Sequence, residues 1–186
     1  MMTSKQQQRY YIKNTAYHEA GHAVVAASLG ALEVEASVYP RLTSNPLHKP
    51  IGGVAKHYNF KLLKVGTTFK RCPLSKLERS AIGFAGVTAD FLTSYLTANV
   101  NDLLDDFHDR LKQEELSTTD LENINTVHPS WRGRAVQKSL TILQANWPFV
   151  EQVAQLFIKN GVGRVHISNH MLTNPDDIPW HRSLDI

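Results

Sequence analysis

Thr15-Ala16-Tyr17-His18-Glu19-Ala20-Gly21-His22-Ala23-Val24-Val25 is the stretch whose reading decides the fold. It contains the pattern H-E-x-x-H. On a helix, residues four apart share a face, so His18 and His22 stand one above the other with Glu19 beside them. Two imidazoles at that spacing can hold one zinc ion, and the adjacent carboxylate can take a proton from a water bound there. Asn14 or Thr15 can cap the start of this helix, and Gly30 can stop it. His18, His22, Val25 and Leu29 then form one stripe. The histidines continue an apolar face and need buried partners, which a metal supplies to both at once. A pair of ordinary core histidines is the competing reading. Gly21 argues against it: a mid-helix glycine costs about 1 kcal/mol relative to alanine and is kept where another backbone or a substrate comes close.

Outward from that helix, the chain alternates. Val34, Ala36 and Val38 face one way, and Glu33, Glu35, Ser37 and Tyr39 the other, as in a half-buried strand. Pro40, Pro46 and Pro50 punctuate a polar loop. Ile51 to Tyr58 predicts a second strand, antiparallel to the first, with Gly52-Gly53 allowing a bulge or a close backbone approach. An exposed edge of such a sheet can receive an extended peptide. Phe60 to Cys72 is basic and irregular and is expected to be a mobile loop.

Helical periodicity returns from Pro73 to about Ala98, with Ser75-x-x-Glu78 as a capping box. Leu74, Leu77, Ala81, Ala85, Thr88, Leu92 and Tyr95 form its inner face, and Gly83, Ala85, Gly86 and Ala89 suit tight packing. Asn101 to Leu116 is amphipathic, with Leu103, Leu104, Phe107 and Leu111 inward. Thr119-x-x-Glu122 offers a further cap for a short helix from Asp120. Val127-His128-Pro129 interrupts. Trp131 to Asn146 and Trp147 to Asn160 predict two more helices, Pro148 at a helix start and Gly161 at a stop. Val165 to Leu172 is ambiguous between helix and strand.

The 186 residues fit one domain with a real core, and 42% hydrophobic content excludes general disorder. Residues 1–13 are expected to be a flexible lead-in, 14–174 the domain and 175–186 a tail. No apolar run is long enough for a membrane span. The opening residues do not form a secretory signal, and Cys72 is the only cysteine. A cytoplasmic location is the simplest expectation. The net charge of +3 is weak support for nucleic acid, which is not expected as a partner. Its distribution is uneven. No Asp or Glu occurs from Ala36 to Leu77, while acids cluster from Asp102 to Glu122. This reads either as two solvated faces of opposite sign or as a basic rim for an acidic partner.

A catalytic zinc usually takes three protein ligands. Position 28 is Ser28, so a third histidine at close metzincin spacing is missing. Here a family resemblance enters. The first helix is similar to the start of the peptidase domain of FtsH-type AAA proteases. Further segments resemble that family in order. Ser37-Val38-Tyr39-Pro40-Arg41 and Ile51-Gly52-Gly53-Val54 resemble its strands. Phe84-Ala85-Gly86-Val87-Thr88-Ala89-Asp90 resembles its small-residue helix, with Asp90 where a glutamate is usual. Ser117-Thr118-Thr119-Asp120-Leu121 resembles a shortened form of the segment carrying its aspartate ligand. The similarity runs over about residues 15–160, strong in the first helix and weak after Ala98.

The resemblance implies an α+β fold, predominantly α-helical, with a zincin-like HExxH helix and a small antiparallel sheet packed on a helical bundle. It implies zinc held by His18, His22 and Asp120, with Glu19 as general base of a zinc metalloendopeptidase. Asn101-Asp102-Leu103 imitates the same segment, so Asp102 is an alternative ligand. His57, His48 and Tyr58 are candidates for assisting the oxyanion. A non-catalytic zinc-binding adaptor on the same scaffold is the alternative function. The chain has no G-x-x-x-x-G-K-[ST] motif. The expectation is therefore an ATP-independent enzyme that cuts peptide or unfolded protein, unaided or with a separate ATPase or as a homo-oligomer.

Overall fold

The computed structural model describes residues 4–40, 51–65, 67–95, 97–172 and 178–181. Helix α1 spans Ser4–Ser28 and lies at the centre. Its second half is buried on every side by small residues, including Ala16, Ala20, Ala23, Val24, Ala26 and Ala27. Small side chains let neighbours approach from all directions, so this half reads as a core helix rather than a one-faced surface helix. It begins ten residues before the expected caps, which lie inside the helix. The Gln-rich stretch from Ser4 to Lys13 is therefore helical rather than a loose lead-in. The exposed side chains from Lys5 to Tyr10 explain why no apolar stripe announces it. At the other end Gly30 adopts φ +79°, as a helix stop requires.

Five strands form an antiparallel sheet in the order β3-β2-β1-β4-β5. They are β1 (Ala31–Pro40), β2 (Ile51–Val65), β3 (Thr68–Pro73), β4 (Gly163–Ile167) and β5 (Trp180–His181). Val34, Ala36 and Val38 of β1 face α1, as their alternation predicts. Strand β1 pairs with β2 from Pro40↔Ile51 through Glu35↔Lys56. Beyond Tyr58, β2 continues as one arm of a hairpin with β3, so Phe60 to Cys72 is regular sheet and not an irregular loop. The pattern hides it because large apolar and basic residues occur on both faces. The ambiguous segment divides, strand β4 ending at Ile167 and a 3-10 turn spanning Asn169–Leu172, and β5 brings Trp180 and His181 from the expected tail onto the sheet. Pro46, His48 and Pro50, and Asn174-Pro175, lie outside the described residues.

The remaining helices are α2 (Lys76–Ser94), α3 (Val100–Lys112), α4 (Thr118–Ile124), α5 (Arg132–Ala145) and α6 (Trp147–Asn160). The chain is thus α+β and mostly helical, with a small antiparallel sheet. Both halves of the Ser75–Glu78 capping box form, a device worth about 1 kcal/mol. Helix α2 does not present one inner face. It is buried all round from Ser80 to Ala89, because α1, α4 and α5 enclose it, while Tyr95 at its end is exposed. Leu103 and Phe107 of α3 point inward, and Phe107 meets Phe84 edge-on with ring centroids 5.0 Å apart. Leu111 does not join them: it lies on the last turn of α3 and is exposed.

Candidate metal centre

Helix α1 presents His18 and His22 on one face, and α2 crosses that face at close range. A Cβ on Gly21 would stand 2.7 Å from the carbonyl oxygen of Ala85, so the two helix backbones touch there. The close-approach role expected for Gly21 is met by a neighbouring helix. On α2 itself, Gly83 does the same for α4. A Cβ there would come within 3.0 Å of the Asp120 carbonyl oxygen and 2.9 Å of the Ile124 nitrogen. One glycine on α1 and one on α2 thus let α1 and α4 each pack closely on α2.

Asp120 sits in the first turn of α4. Ser117, not Thr119, is the N-cap, its Oγ accepting from Asp120 N at 3.0 Å. Thr119 is itself inside the helix, so the expected start at Asp120 is two residues late. The cap fixes the backbone of Asp120, and the positive end of a helix favours its carboxylate.

His18, His22 and Asp120 each turn one ligand atom to a common point, all within 4.8 Å of one another. The two Nε2 atoms are 3.2 Å apart. Asp120 Oδ1 lies 3.1 Å from His22 Nε2, and Oδ2 lies 3.6 Å from His18 Nε2. Asp102 is elsewhere, exposed on α3 and accepting from Asn99 Nδ2 at 2.6 Å. The alternative ligand is a helix-start residue.

The other ring nitrogens decide the protonation. His22 Nδ1 donates to the Ile82 carbonyl oxygen at 2.6 Å. A carbonyl can only accept, so that nitrogen carries the proton. His18 Nδ1 is 3.0 Å from Asp90 Oδ2, an acceptor when ionised. With both Nδ1 positions protonated, neutral rings leave two Nε2 lone pairs facing a carboxylate. Three acceptors converge in a buried space, which is stable only with a cation or shared protons between them. Gly86 supplies the room: a Cβ on it would collide with Nε2 of both His18 and His22. The chemistry of the donors and the absence of a side chain at Gly86 fit a bound metal ion.

Asp90 is held in turn. Arg110 Nη1 donates to Asp90 Oδ2 at 2.9 Å, and Arg110 Nε donates to Asp106 at 2.8 Å. The sequence alone assigns Asp90 no role and does not single out Arg110. The Asp106–Arg110 spacing of four was visible on a helix, but its reach across to α2 depends on tertiary packing.

Glu19 is 7% exposed, and among the described residues no hydrogen bond or ion pair engages its carboxylate. Its Cγ and Oε1 pack against Gly53 of β2, where any Cβ would collide with them. Burial pushes its carboxyl above the usual range, against the pull of the two imidazoles. Burial also disfavours charge on His18, but Asp90 and Asp120 outweigh it and hold the ring well above the ordinary histidine range. Asp120 raises His22 in the same way against burial. Asp120 itself is pushed up by burial and more strongly down by the two imidazoles, ending far below the usual carboxylate range.

Of the residues expected to assist, His57 is half-buried on β2 and is lowered by that burial, which favours its neutral form. Tyr58 is 47% exposed and stacked on Phe60. His48 falls outside the described residues. No family model matches the chain, and no curated protein is significantly similar to it, so the centre stands on its geometry alone.

Proposed function

We propose that the chain is a zinc-dependent metallopeptidase, with His18, His22 and Asp120 as ligands and Glu19 as general base. The observation that carries this reading is the uncommitted, nearly buried Glu19 carboxylate beside three converging metal donors. Two imidazoles and one carboxylate also suit iron(II) in oxygenases. An adjacent free base favours hydrolysis. The order of the segments resembling FtsH-type peptidases supports the same conclusion.

Zinc held there supplies a Lewis acid and lowers the pKa of water towards about 7. The protein does the rest. Glu19 takes the proton from the attacking water and hands it to the leaving amine nitrogen. The upward push of burial on Glu19 suits a group that must hold that proton for part of the cycle. Asp90 and the Ile82 carbonyl keep the two rings turned inward. Strand β2 passes Glu19 at Gly53, and among the described residues nothing pairs with its edge away from β1 before Asn59, whose carbonyl oxygen accepts from Leu74 N. An extended peptide added along that edge would carry a scissile bond past Glu19.

The test is Glu19→Gln. The variant keeps one equivalent of zinc and loses about 100- to 10,000-fold in peptide cleavage. Unchanged cleavage would remove Glu19 from the mechanism. Parent protein that binds zinc without cleaving any unfolded substrate would point instead to a non-catalytic adaptor.

A further inference from the structure

From Phe60, strand β2 pairs with β3, from Phe60↔Pro73 to Val65↔Thr68, and beyond Lys61, its last partner on β1, it runs clear of the body of the sheet. Cross-strand partners share a face, and the two faces alternate along each strand. One face carries Leu62, Lys64, Phe69 and Arg71; the other carries Leu63, Val65 and Lys70. The apolar residues are exposed on both: Phe69 67%, Val65 58%, Leu62 46% and Leu63 43%. Exposed apolar surface of this extent marks a docking site. A protein groove would cover one side of such a ribbon. A blade that is apolar on both sides suits a medium that surrounds it.

Charge narrows the choice. The hairpin lies within the stretch from Ala36 to Leu77 that contains no Asp or Glu. Lys61 at its base is tied to Glu78 at 2.6 Å, which anchors the hairpin to the start of α2. Among the described residues, Lys64 and Lys70 pair with no carboxylate. The surface that receives the hairpin is therefore anionic. Nucleic acid fits poorly. Phe60 already stacks on Tyr58 and lies under Arg71, 5.5 Å from its centroid, and the aliphatic residues would have no use there.

We propose that the β2–β3 hairpin docks the protein on an anionic lipid surface. Leu62, Leu63, Val65 and Phe69 enter the headgroup boundary, and Lys64, Lys70 and Arg71 meet lipid phosphates. Apolar insertion and a basic cluster are the two signals that together give stable attachment. The outer edges of a two-stranded ribbon keep unpaired backbone groups, so the blade stays at headgroup depth and does not cross the hydrocarbon.

The experiment is co-sedimentation of the full chain with phosphatidylcholine vesicles, with and without phosphatidylglycerol. The expected result is binding that requires phosphatidylglycerol and weakens as salt is raised. Val65→Asp/Phe69→Asp abolishes it. Lys64→Glu/Lys70→Glu weakens it by at least about fivefold for each basic residue removed. All four side chains project from the ribbon, so far-UV circular dichroism and metal content stay at parental values in both variants. Failure to bind anionic vesicles at low salt overturns the proposal. So does binding that both variants retain. Self-association or RNA binding abolished by these substitutions, without vesicle binding, assigns the hairpin to another occupant and overturns it as well.

Discussion

The junction of α1, α2 and α4 and the hairpin of β2 and β3 handle polarity in opposite ways. At the junction, polar side chains are largely buried, and all four ring nitrogens of His18 and His22 and both oxygens of Asp120 have a named partner on another helix, while the Glu19 carboxylate stays uncommitted. In the hairpin, large apolar side chains are exposed, and Lys64 and Lys70 stand in solvent. The first arrangement needs residues from three helices and the absence of a side chain at three glycines. The second needs only one strand and its neighbour. A buried polar cluster is costly unless every member is satisfied, so it tolerates little change. An exposed ribbon makes few contacts and tolerates much.

That contrast can be broken by substitution. The largest effect is expected for Gly86→Ala, which sets a methyl group against both Nε2 atoms. Metal affinity should fall more than about a hundredfold, beyond what loss of an outer hydrogen bond costs. Zinc titration with a chromogenic competitor measures it. Unchanged affinity would show that the metal, if any, is not held between the two rings.

A smaller, graded effect is expected from pH. In the metal-free protein Asp90 and Asp120 hold His18 and His22 above the ordinary histidine value of 6.5 against burial. A metal must displace those protons. Affinity therefore rises with pH through the raised values and falls as pH is lowered, by roughly tenfold per unit for each proton displaced. The fall should already be under way above pH 6.5. Isothermal titration at several pH values, in buffers of different ionisation enthalpy, counts the protons; a flat profile contradicts the proposed ligands.

The smallest effect belongs to the hairpin. Leu63→Ser should change stability by no more than about 0.5 kcal/mol, as for a surface position, and leave zinc binding alone. A loss of several times that in urea unfolding would mean that the blade is packed against the body.

What could be read from the sequence follows the same division. The H-E-x-x-H spacing, the Gly30 stop, the alternation of Val34, Ala36 and Val38, and the Ser75 capping box are local, and local rules found them. Asp120 was reached through family resemblance and not through spacing, since 98 positions separate it from His22. Asp90 and Arg110 bond each other across two helices, and no periodicity shows that. The hairpin was missed for another reason. Leu62-Leu63 and Lys70-Arg71 place like residues on opposite faces, which erases the alternation that reveals a strand with one face in the core.

Strand β2 is unbroken from Gly53, against Glu19, to Val65 at the far end of the hairpin. At about 3.3 Å per residue those points are at most roughly 40 Å apart. A molecule standing on its hairpin would hold its Glu19 end at a fixed height, like a stylus on an arm. Any unstructured tether rooted in the same bilayer would need about a dozen residues before its bonds came within reach.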